Sequence, residues 1–238
     1  MRNSKFSVVS SYATDILVNA QGEIISKQDG GPALYVMRAL EECNVKADII
    51  SGKKIIVEIL LKDSQEFGRV PVLPQKNRVN TNALKPWTII STVCNEWVLS
   101  APLPDKLMVD LQGFVRDGSN FGKKTLSPEI NKFAGEIYCL KGTEEEVACL
   151  TKKAIERQKT RMLVITNGPK PVTLYVNNEK SMISVVAVEN PKDTIGAGDS
   201  FFAYFAAGLH QGLMPSRAVR YANCKTAVFL QKKSVNKI

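Results

Sequence analysis

The residues best suited to chemistry form a short run of small side chains between two aspartates, Asp193-Thr194-Ile195-Gly196-Ala197-Gly198-Asp199. A strand is predicted before this run, and an apolar stretch with the character of a helix follows it. Backbone N–H groups at the start of a helix lack intrahelical acceptors, and the helix dipole adds positive charge there. The run therefore predicts an anion site, at which Gly196 and Gly198 let the backbone approach a phosphate closely.

Asp199 falls in the first turn of the predicted helix, beside that anion site. A carboxylate there can accept the proton of a hydroxyl group that attacks phosphorus, and phosphoryl transfer otherwise needs mainly positioning and charge stabilisation. The alternative is that Asp199 only caps the helix and that the glycines only form a turn. The seven-residue pattern in a strand–turn–helix context favours the catalytic interpretation.

Predicted strands and helices alternate along most of the chain. The predicted strands are 6–10, 15–18, 47–50, 55–60, 87–91, 107–111, 136–140 and 162–166, with a hairpin at 172–176 and 182–186, and the predicted helices are 32–42, 127–134, 143–158, 198–208 and 215–231. This alternation predicts an α/β fold in a single domain over 1–238, a three-layer sandwich whose central sheet is mostly parallel with helices on both faces. The polar stretch 62–86, with its three prolines, predicts an irregular region or a small subdomain.

The composition narrows the class of protein. Hydrophobic residues make up 44% of the 238 residues, and the net charge is +9. The lysines are scattered and no aromatic residues interleave them, which favours a basic surface that attracts anionic substrates over a nucleic-acid interface. Five separated cysteines and the single His210 argue against disulfides and Cys/His metal sites. No signal peptide and no apolar run of about 20 residues is visible, so a cytoplasmic protein without membrane contact is expected.

The run from Asp193 to Asp199 resembles the C-terminal signature of the PfkB carbohydrate kinases, the ribokinase-like group. The resemblance implies a ribokinase-like fold and ATP with Mg²⁺ as cofactors. It implies that Asp199 is the catalytic base and that Gly196, Ala197 and Gly198 form the anion hole for the transferring phosphate. It also makes 55–86 the expected place of a lid, reduced in this short chain.

Weaker matches to the same family extend over most of the chain. They imply substrate contacts at Asp15, Gly30, Gly31 and Arg116, nucleotide contacts at Thr166, Gly168, Thr194 and Asn223, and a role for Glu146 in organising magnesium. The stretch from Asp110 to Arg116 is similar to one in archaeal and inositol-kinase-like members, and a guanidinium at 116 would suit a phosphate.

Each weaker match has a simpler alternative. Thr143 and Glu146 have the spacing of a capping box, which starts a helix without any chemistry. Gly30-Gly31 can be a turn, and Asp15 a solvated turn residue. Asn223 can be structural, and Arg116 can be a surface residue beyond a strand.

Some positions depart from the family pattern. Tyr35 and Thr143 replace asparagines, the second glycine of the nucleotide turn is absent beside Pro169 and Pro171, and Gly52-Lys53-Lys54 replaces a Gly-x-Asp. These departures keep open a catalytically impaired member that acts as a small-molecule-binding or regulatory protein. The main expectation is an ATP-dependent phosphotransferase for a hydroxyl of a sugar, polyol or nucleoside. The sequence leaves the substrate, the donor and a homodimeric state open.

Overall fold

A computed structural model describes residues 5–62, 65–189, 191 and 193–235 of the chain. The strands are β1 (Phe6–Ser10), β2 (Ala13–Val18), β3 (Ile24–Gly30), β4 (Ala47–Ser51), β5 (Ile55–Lys62), β6 (Gln65–Arg69), β7 (Asn77–Arg78), β8 (Trp87–Ser91), β9 (Trp97–Val98), β10 (Lys106–Asp110), β11 (Arg116–Asp117), β12 (Asn120–Lys124), β13 (Cys139–Thr143), β14 (Met162–Asn167), β15 (Lys170–Val176) and β16 (Glu179–Ile183). The helices are α1 (Pro32–Glu42), α2 (Gln112–Val115), α3 (Pro128–Phe133), α4 (Glu144–Val147), α5 (Lys152–Lys159), α6 (Ala197–His210) and α7 (Pro215–Val235), with a 3₁₀ turn at Thr81–Ala83.

The main sheet has eight strands in the order β16-β15-β14-β13-β10-β8-β1-β4. The six strands from β14 to β4 pair in parallel, and β15 and β16 add an antiparallel hairpin at one edge. The predicted mostly parallel sheet is therefore confirmed. In the described part of the chain, no helix combines the length and hydrophobicity that a bilayer crossing needs.

Alternate side chains of the central strands enter two separate cores. Val8, Ile89 and Met108 pack with α1, α6 and α7 on one face. Val9 and Val109 pack on the other face with the apolar residues of α2 to α5. Because successive side chains of a strand point to opposite faces, these strands are buried on both faces. The predicted three-layer sandwich is confirmed.

A second sheet of four strands, in the order β3-β2-β5-β6, covers the carboxyl ends of the main strands. Its inner face carries Ala13, Val57 and Ile59, which pack against Val93 and Phe121. The stretch 55–86, expected as a lid or insertion, supplies β5, β6, β7 and the 3₁₀ turn to the structure, and residues 63 and 64 lie outside the described part. The other half of this sheet comes from β2 and β3.

Several predicted boundaries are wrong. The strand predicted at 136–140 is β13 at Cys139–Thr143, because Glu136 N and Ile137 N both donate to Phe133 O and continue the turn that ends α3. The helix predicted over 143–158 is divided into α4 and α5, since the Thr151 hydroxyl accepts from Ala154 N and starts a new helix.

Three further differences concern strands. The strand predicted at 182–186 is β16 at Glu179–Ile183, because Asn177 and Asn178 both have positive φ and form a two-residue turn. The strand predicted before Asp193 is not found in the described residues 184–189 and 191, since β16 ends at Ile183. β3 was not predicted because it is almost entirely exposed and has no apolar alternation.

Candidate active site

A cavity of about 430 Å³ lies between the second sheet, the β11–β12 hairpin and the start of α6. Seven residues that the sequence marks as functional line it: Asp15, Gly31, Arg116, Thr194, Gly196, Gly198 and Asp199. Residues that are far apart in the chain thus meet at one place, at the carboxyl edge of the parallel sheet. In open α/β sheets this edge is where ligands bind.

A row of buried polar side chains ends the parallel strands beneath this cavity. Ser10, Ser91, Asp110 and Lys141 lie at or near the carboxyl ends of β1, β8, β10 and β13. The ladders place Ser10 beside Ser91 and Asp110 beside Lys141. The residue two positions before each of them belongs to the core that packs against α6. Because side chains alternate along a strand, all four polar side chains lie on the face that α6 covers. This row was not predicted as functional, although a polar residue at the end of a largely apolar strand is visible in the sequence.

Asp199 is buried in the third position of α6, with 7% of its surface exposed. The Ser91 hydroxyl donates to its Oδ1 at 2.9 Å. Burial is the largest influence on the pKa of Asp199 and raises it above its ordinary value, while Lys141, the Ser91 hydroxyl and Arg116 act to lower it. The N-cap of α6 is Gly196, and no side chain caps the helix, so Asp199 is not its cap.

Lys141 and Asp110 form a buried ion pair next to Asp199. Lys141 Nζ lies 2.8 Å from Asp110 Oδ2, and the two side chains are 3% and 0% exposed. Burial raises the pKa of Asp110 to about 6, against the lowering effect of Lys141. Burial acts to lower the pKa of Lys141, but Asp110, Glu146 and Asp199 outweigh it and raise that pKa. The site therefore contains a lysine ammonium that stays protonated.

The turn before α6 has the backbone that the glycines predict. Gly196 has φ 80°, and a Cβ on it would lie 2.4 Å from ring atoms of Tyr35. Ala197 N donates to Thr194 O at 3.0 Å, which closes the turn. The first-turn amides of Gly198 and Asp199 have no acceptor within the helix, because the residues four positions earlier lie outside it. Of the anion hole predicted over Gly196, Ala197 and Gly198, Ala197 N thus has an acceptor inside the turn, and the anion hole itself stays a prediction.

The same turn is fastened by the last helix. Ile195 N donates to Asp193 Oδ1 at 2.9 Å. Lys233, near the end of α7, donates to Ile195 O at 2.9 Å and lies 3.0 Å from Asp193 Oδ2. Lys233 Nζ also lies 5.4 Å from the centre of the Tyr35 ring. The C-terminal helix thus holds the backbone of the predicted anion hole.

Arg116 presents a guanidinium to the cavity from the end of α2. Its Nη1 donates to Val93 O at 3.2 Å, and its guanidinium stacks 4.1 Å from the centre of the Phe121 ring. With the Gln112 amide oriented so that its oxygen faces the guanidinium, that oxygen accepts from Nη2 at 2.7 Å. Among the described residues, no carboxylate oxygen lies within 4 Å of Arg116 and its buried Nε has no acceptor. Its charge is therefore available to an anion.

The opposite wall of the cavity carries Asp15 from β2 and Tyr35 from α1. A Cβ on Gly30 would lie 1.9 Å from Asp15 Oδ2, so only glycine leaves room for this carboxylate. Asp15 lies within β2, and not in a turn after a strand. Burial is the largest influence that raises the pKa of Tyr35, and Asp15, Asp193 and Asp199 add to it. The Tyr35 hydroxyl therefore stays protonated.

The remaining predicted residues do not line this cavity. Thr166 is the second-last residue of β14 and lies beside Thr143, and Gly168 is in the turn between β14 and β15. Asn223 is buried on α7 and donates to Ser184 O at 3.0 Å. Their proposed nucleotide contacts would lie outside the cavity that holds Asp199.

Glu146 forms both halves of the capping box that its spacing predicts. Its Oε2 accepts from Thr143 N at 2.8 Å, and Thr143 Oγ1 accepts from Glu146 N at 3.2 Å. Among the described residues, no group of three or more His, Cys, Asp or Glu side chains is placed to hold a metal. Mg²⁺ in kinases is usually bound by substrate phosphates, waters and one or two carboxylates, so the site fits magnesium brought in with the donor. The role of Glu146 in organising magnesium stays a prediction.

Comparison with known proteins agrees with this arrangement. The profile of the pfkB family of carbohydrate kinases matches residues 103–237, which is more than half of the chain. A Pyrococcus horikoshii protein, named provisionally as a sugar kinase, is 34% identical over 97 residues. That alignment covers 40% of this chain and 31% of the relative, so it spans about a third of the relative's length.

Solved structures share the fold at low identity. A pyrophosphate-dependent myo-inositol-1 kinase converted by two substitutions into a myo-inositol-3 kinase has a TM-score of 0.73 and 15% identity, covering 94% of this chain and 92% of its own. The ribokinase of Arabidopsis thaliana, solved with ribose and ATP, has a TM-score of 0.69 and 15% identity, covering 96% of each chain. These likenesses show a ribokinase-like fold. The family match over residues 103–237 shows that this chain belongs to the pfkB family of carbohydrate kinases.

Proposed function

We propose that this chain is a phosphotransferase that moves the γ-phosphate of ATP to a hydroxyl group of a sugar, a polyol or a nucleoside. The observation that carries the proposal is the position of Asp199, which lines the cavity at the start of α6 beside the amides of Gly198 and Asp199. A base and an anion site thus face the same space. Family membership supports a carbohydrate acceptor.

In the proposed reaction, Asp199 is the general base. Ser91 occupies its Oδ1, so Oδ2 takes the proton of the acceptor hydroxyl. The hydroxyl oxygen then bonds to the γ-phosphorus, and the bond from that phosphorus to the bridging oxygen breaks to release ADP. The amides of Gly198 and Asp199, with the Arg116 guanidinium, stabilise the charge on the transferring group. Magnesium, when bound, neutralises charge on the donor phosphates.

Pyrophosphate is a second candidate donor. Of the four expected nucleotide contacts, only Thr194 lines the cavity. Thr166, Gly168 and Asn223 do not, whereas the cations Arg116 and Lys124 do. A structural relative is named as pyrophosphate-dependent. A donor without a base or ribose would need only the phosphate end of the site.

The test is a matrix of donors and acceptors. The full chain is incubated with Mg²⁺ and either ATP or pyrophosphate, together with myo-inositol, ribose, fructose or adenosine, and phosphoesters are detected by ³¹P NMR. We expect a phosphoester with at least one acceptor, formed only when a donor is present. If a donor binds by calorimetry and no acceptor in a broad panel is phosphorylated, the chain is the impaired, ligand-binding member of the family.

A further inference from the structure

The Asp110–Lys141 pair is more deeply buried than any other ion pair between described residues. Taking two charges out of water is unfavourable, and a buried pair is therefore weak evidence of a stabilising role. Apolar residues at both positions would complete the core that surrounds them. We therefore looked to the adjacent site, and not to stability, for the role of the Asp110–Lys141 pair.

Lys141 points from the sheet towards the start of α6. The ladder between β10 and β13 sets Asp110 and Lys141 side by side on the face that α6 covers. Lys141 Nζ lies 3.1 Å from the position that a Cβ on Gly198 would occupy. Gly198 directly precedes Asp199, so the ammonium group lies against the backbone that carries the proposed base. Any side chain at position 198 would press on it.

Asp199 is faced by charged and titratable groups from several elements. Lys141 on β13 is the cation with the largest effect on it, and Arg116 at the end of α2 is the second. Glu146 on α4 and Asp110 on β10 are carboxylates whose charges oppose its ionisation, and the Tyr35 hydroxyl on α1 is protonated. Burial also opposes ionisation. Lys141 is thus the group that most favours the ionised form of Asp199.

We propose that Lys141, held in place by Asp110, is a positioning residue that keeps the Asp199 carboxylate ionised for catalysis. Asp110 fixes the ammonium group at one end of the pair, and the ammonium stabilises the negative charge of Asp199 through space. Without that cation, a carboxylate buried among Glu146 and Asp110 would hold a proton and could not accept one from the acceptor. That the ionised Asp199 serves catalysis rests on the proposed function. That Lys141 keeps Asp199 ionised does not depend on that function.

The test is a titration of Asp199 in the protein without donor or acceptor. Chains labelled with ¹³C at the aspartate carboxyl groups are titrated by NMR, and the Asp199 signal is assigned by its loss in Asp199→Asn. In Lys141→Met we expect the Asp199 titration to move up by about one to three pH units, the usual effect of an opposite charge nearby. Lys141→Gln removes the charge but keeps a hydrogen-bond donor for Asp110, so we expect the same upward movement in it. This variant tests the proposal even if Lys141→Met does not fold.

An exposed pair supplies the control. Lys159→Met removes a lysine that pairs with Glu156 at the surface, and it should leave the Asp199 titration in place. With a known acceptor, the acid limb of kcat/KM should shift upward in Lys141→Met and stay near the wild-type position in Lys141→Arg. An Asp199 signal that titrates at the wild-type pH in Lys141→Met and Lys141→Gln, or in the one of them that folds, would overturn the proposal. Failure of phosphoryl transfer alone would leave the NMR result intact and would count only against the proposed function.

Discussion

Arg116 shows how a single residue acquires a role from its surroundings. Its guanidinium is held by Val93 O and the Phe121 ring, and no described carboxylate oxygen lies within 4 Å of it. Because the planar guanidinium is already held in place, the Arg116 side chain loses little conformational freedom when its N–H groups bind an oxyanion. The surface alternative does not describe this geometry, because Arg116 lines the cavity.

Replacing Arg116 with lysine tests this role. Arg116→Lys keeps one positive charge but loses the planar fork, so we expect about tenfold weaker binding of pyrophosphate and other phosphorylated ligands. Neutral sugars and polyols should bind as before. Calorimetry with both ligand classes is the measurement, and Arg78→Lys, at an exposed position outside the cavity, is the control. Equal weakening of both classes would refute a phosphate contact.

Gly196 offers a comparison between backbone strain and crowding. Gly196 and Gly22 have nearly the same φ, 80° and 82°, but only at Gly196 would a Cβ meet another group, the Tyr35 ring. Gly22→Ala should lower the free energy of unfolding by about 1 kcal/mol, the strain of a left-handed residue. Gly196→Ala should lower it by about 2–4 kcal/mol, because the clash adds to that strain. Urea denaturation of both variants measures the difference, and equal losses would mean that Tyr35 moves away freely.

At the scale of residues, the sequence was informative where a motif is local. The seven residues from Asp193 to Asp199 predicted a turn, a helix start and a carboxylate, and the structure has all three. Lys141, Ser91 and Asp110 were not predicted, because their role depends on the register between strands that are far apart in the chain. A single sequence does not contain that register.

At the scale of elements, α7 contacts the turn that precedes α6 and holds its backbone in place. Lys233 reaches Ile195 O and Asp193 Oδ2 from the last helix, while Lys232 beside it lies 4.0 Å from Glu42 and is 65% exposed. Of these two adjacent lysines, Lys233 contacts the turn and Lys232 does not. Lys232 is therefore the matched control for Lys233.

Lys233→Met should loosen the turn and reduce the rate of phosphoryl transfer on the order of tenfold or more, since small displacements of positioning groups have large effects on rate. Lys232→Met should retain the wild-type rate. Thermal denaturation of both variants checks that the fold is kept, and steady-state kinetics measures the effect. If the two substitutions reduced kcat equally, the contact of Lys233 with the turn would have no part in catalysis.

Elements were predicted best where their pattern was strong. The buried strands and α1, α6 and α7 lie close to their predicted places, since long apolar periodicities and Pro32 leave few alternatives. The break between α4 and α5 was missed because Thr151 looks like any helical residue until its hydroxyl is seen to accept from Ala154 N. β3 was missed because an exposed strand has no core face to reveal it.

At the scale of the molecule, the second sheet closes the cavity from above the main sheet. Asp15 on β2, Gly68 on β6 and Phe121 on β12 meet there, and a Cβ on Gly68 would lie 2.3 Å from the Phe121 ring. Alternating strands and helices were enough to predict the main sheet. The second sheet was not derivable in the same way, because β2 and β5 pair in parallel although more than 35 residues separate Val18 from Ile55.

The central claim is that Asp199 is the base, and Asp199→Asn tests it most directly. Asparagine keeps the shape and an acceptor for the Ser91 hydroxyl, and Asp199 does not cap α6, so the fold and the melting temperature should change little. The amides of Gly198 and residue 199 remain, so donor affinity should also persist. The measurement compares kcat, donor Kd and Tm in the wild type, Asp199→Asn and the exposed control Asp48→Asn. We predict that kcat falls about 10²–10⁴-fold in Asp199→Asn alone; a kcat within a few-fold of the wild type, with a lowered Tm, would contradict the account.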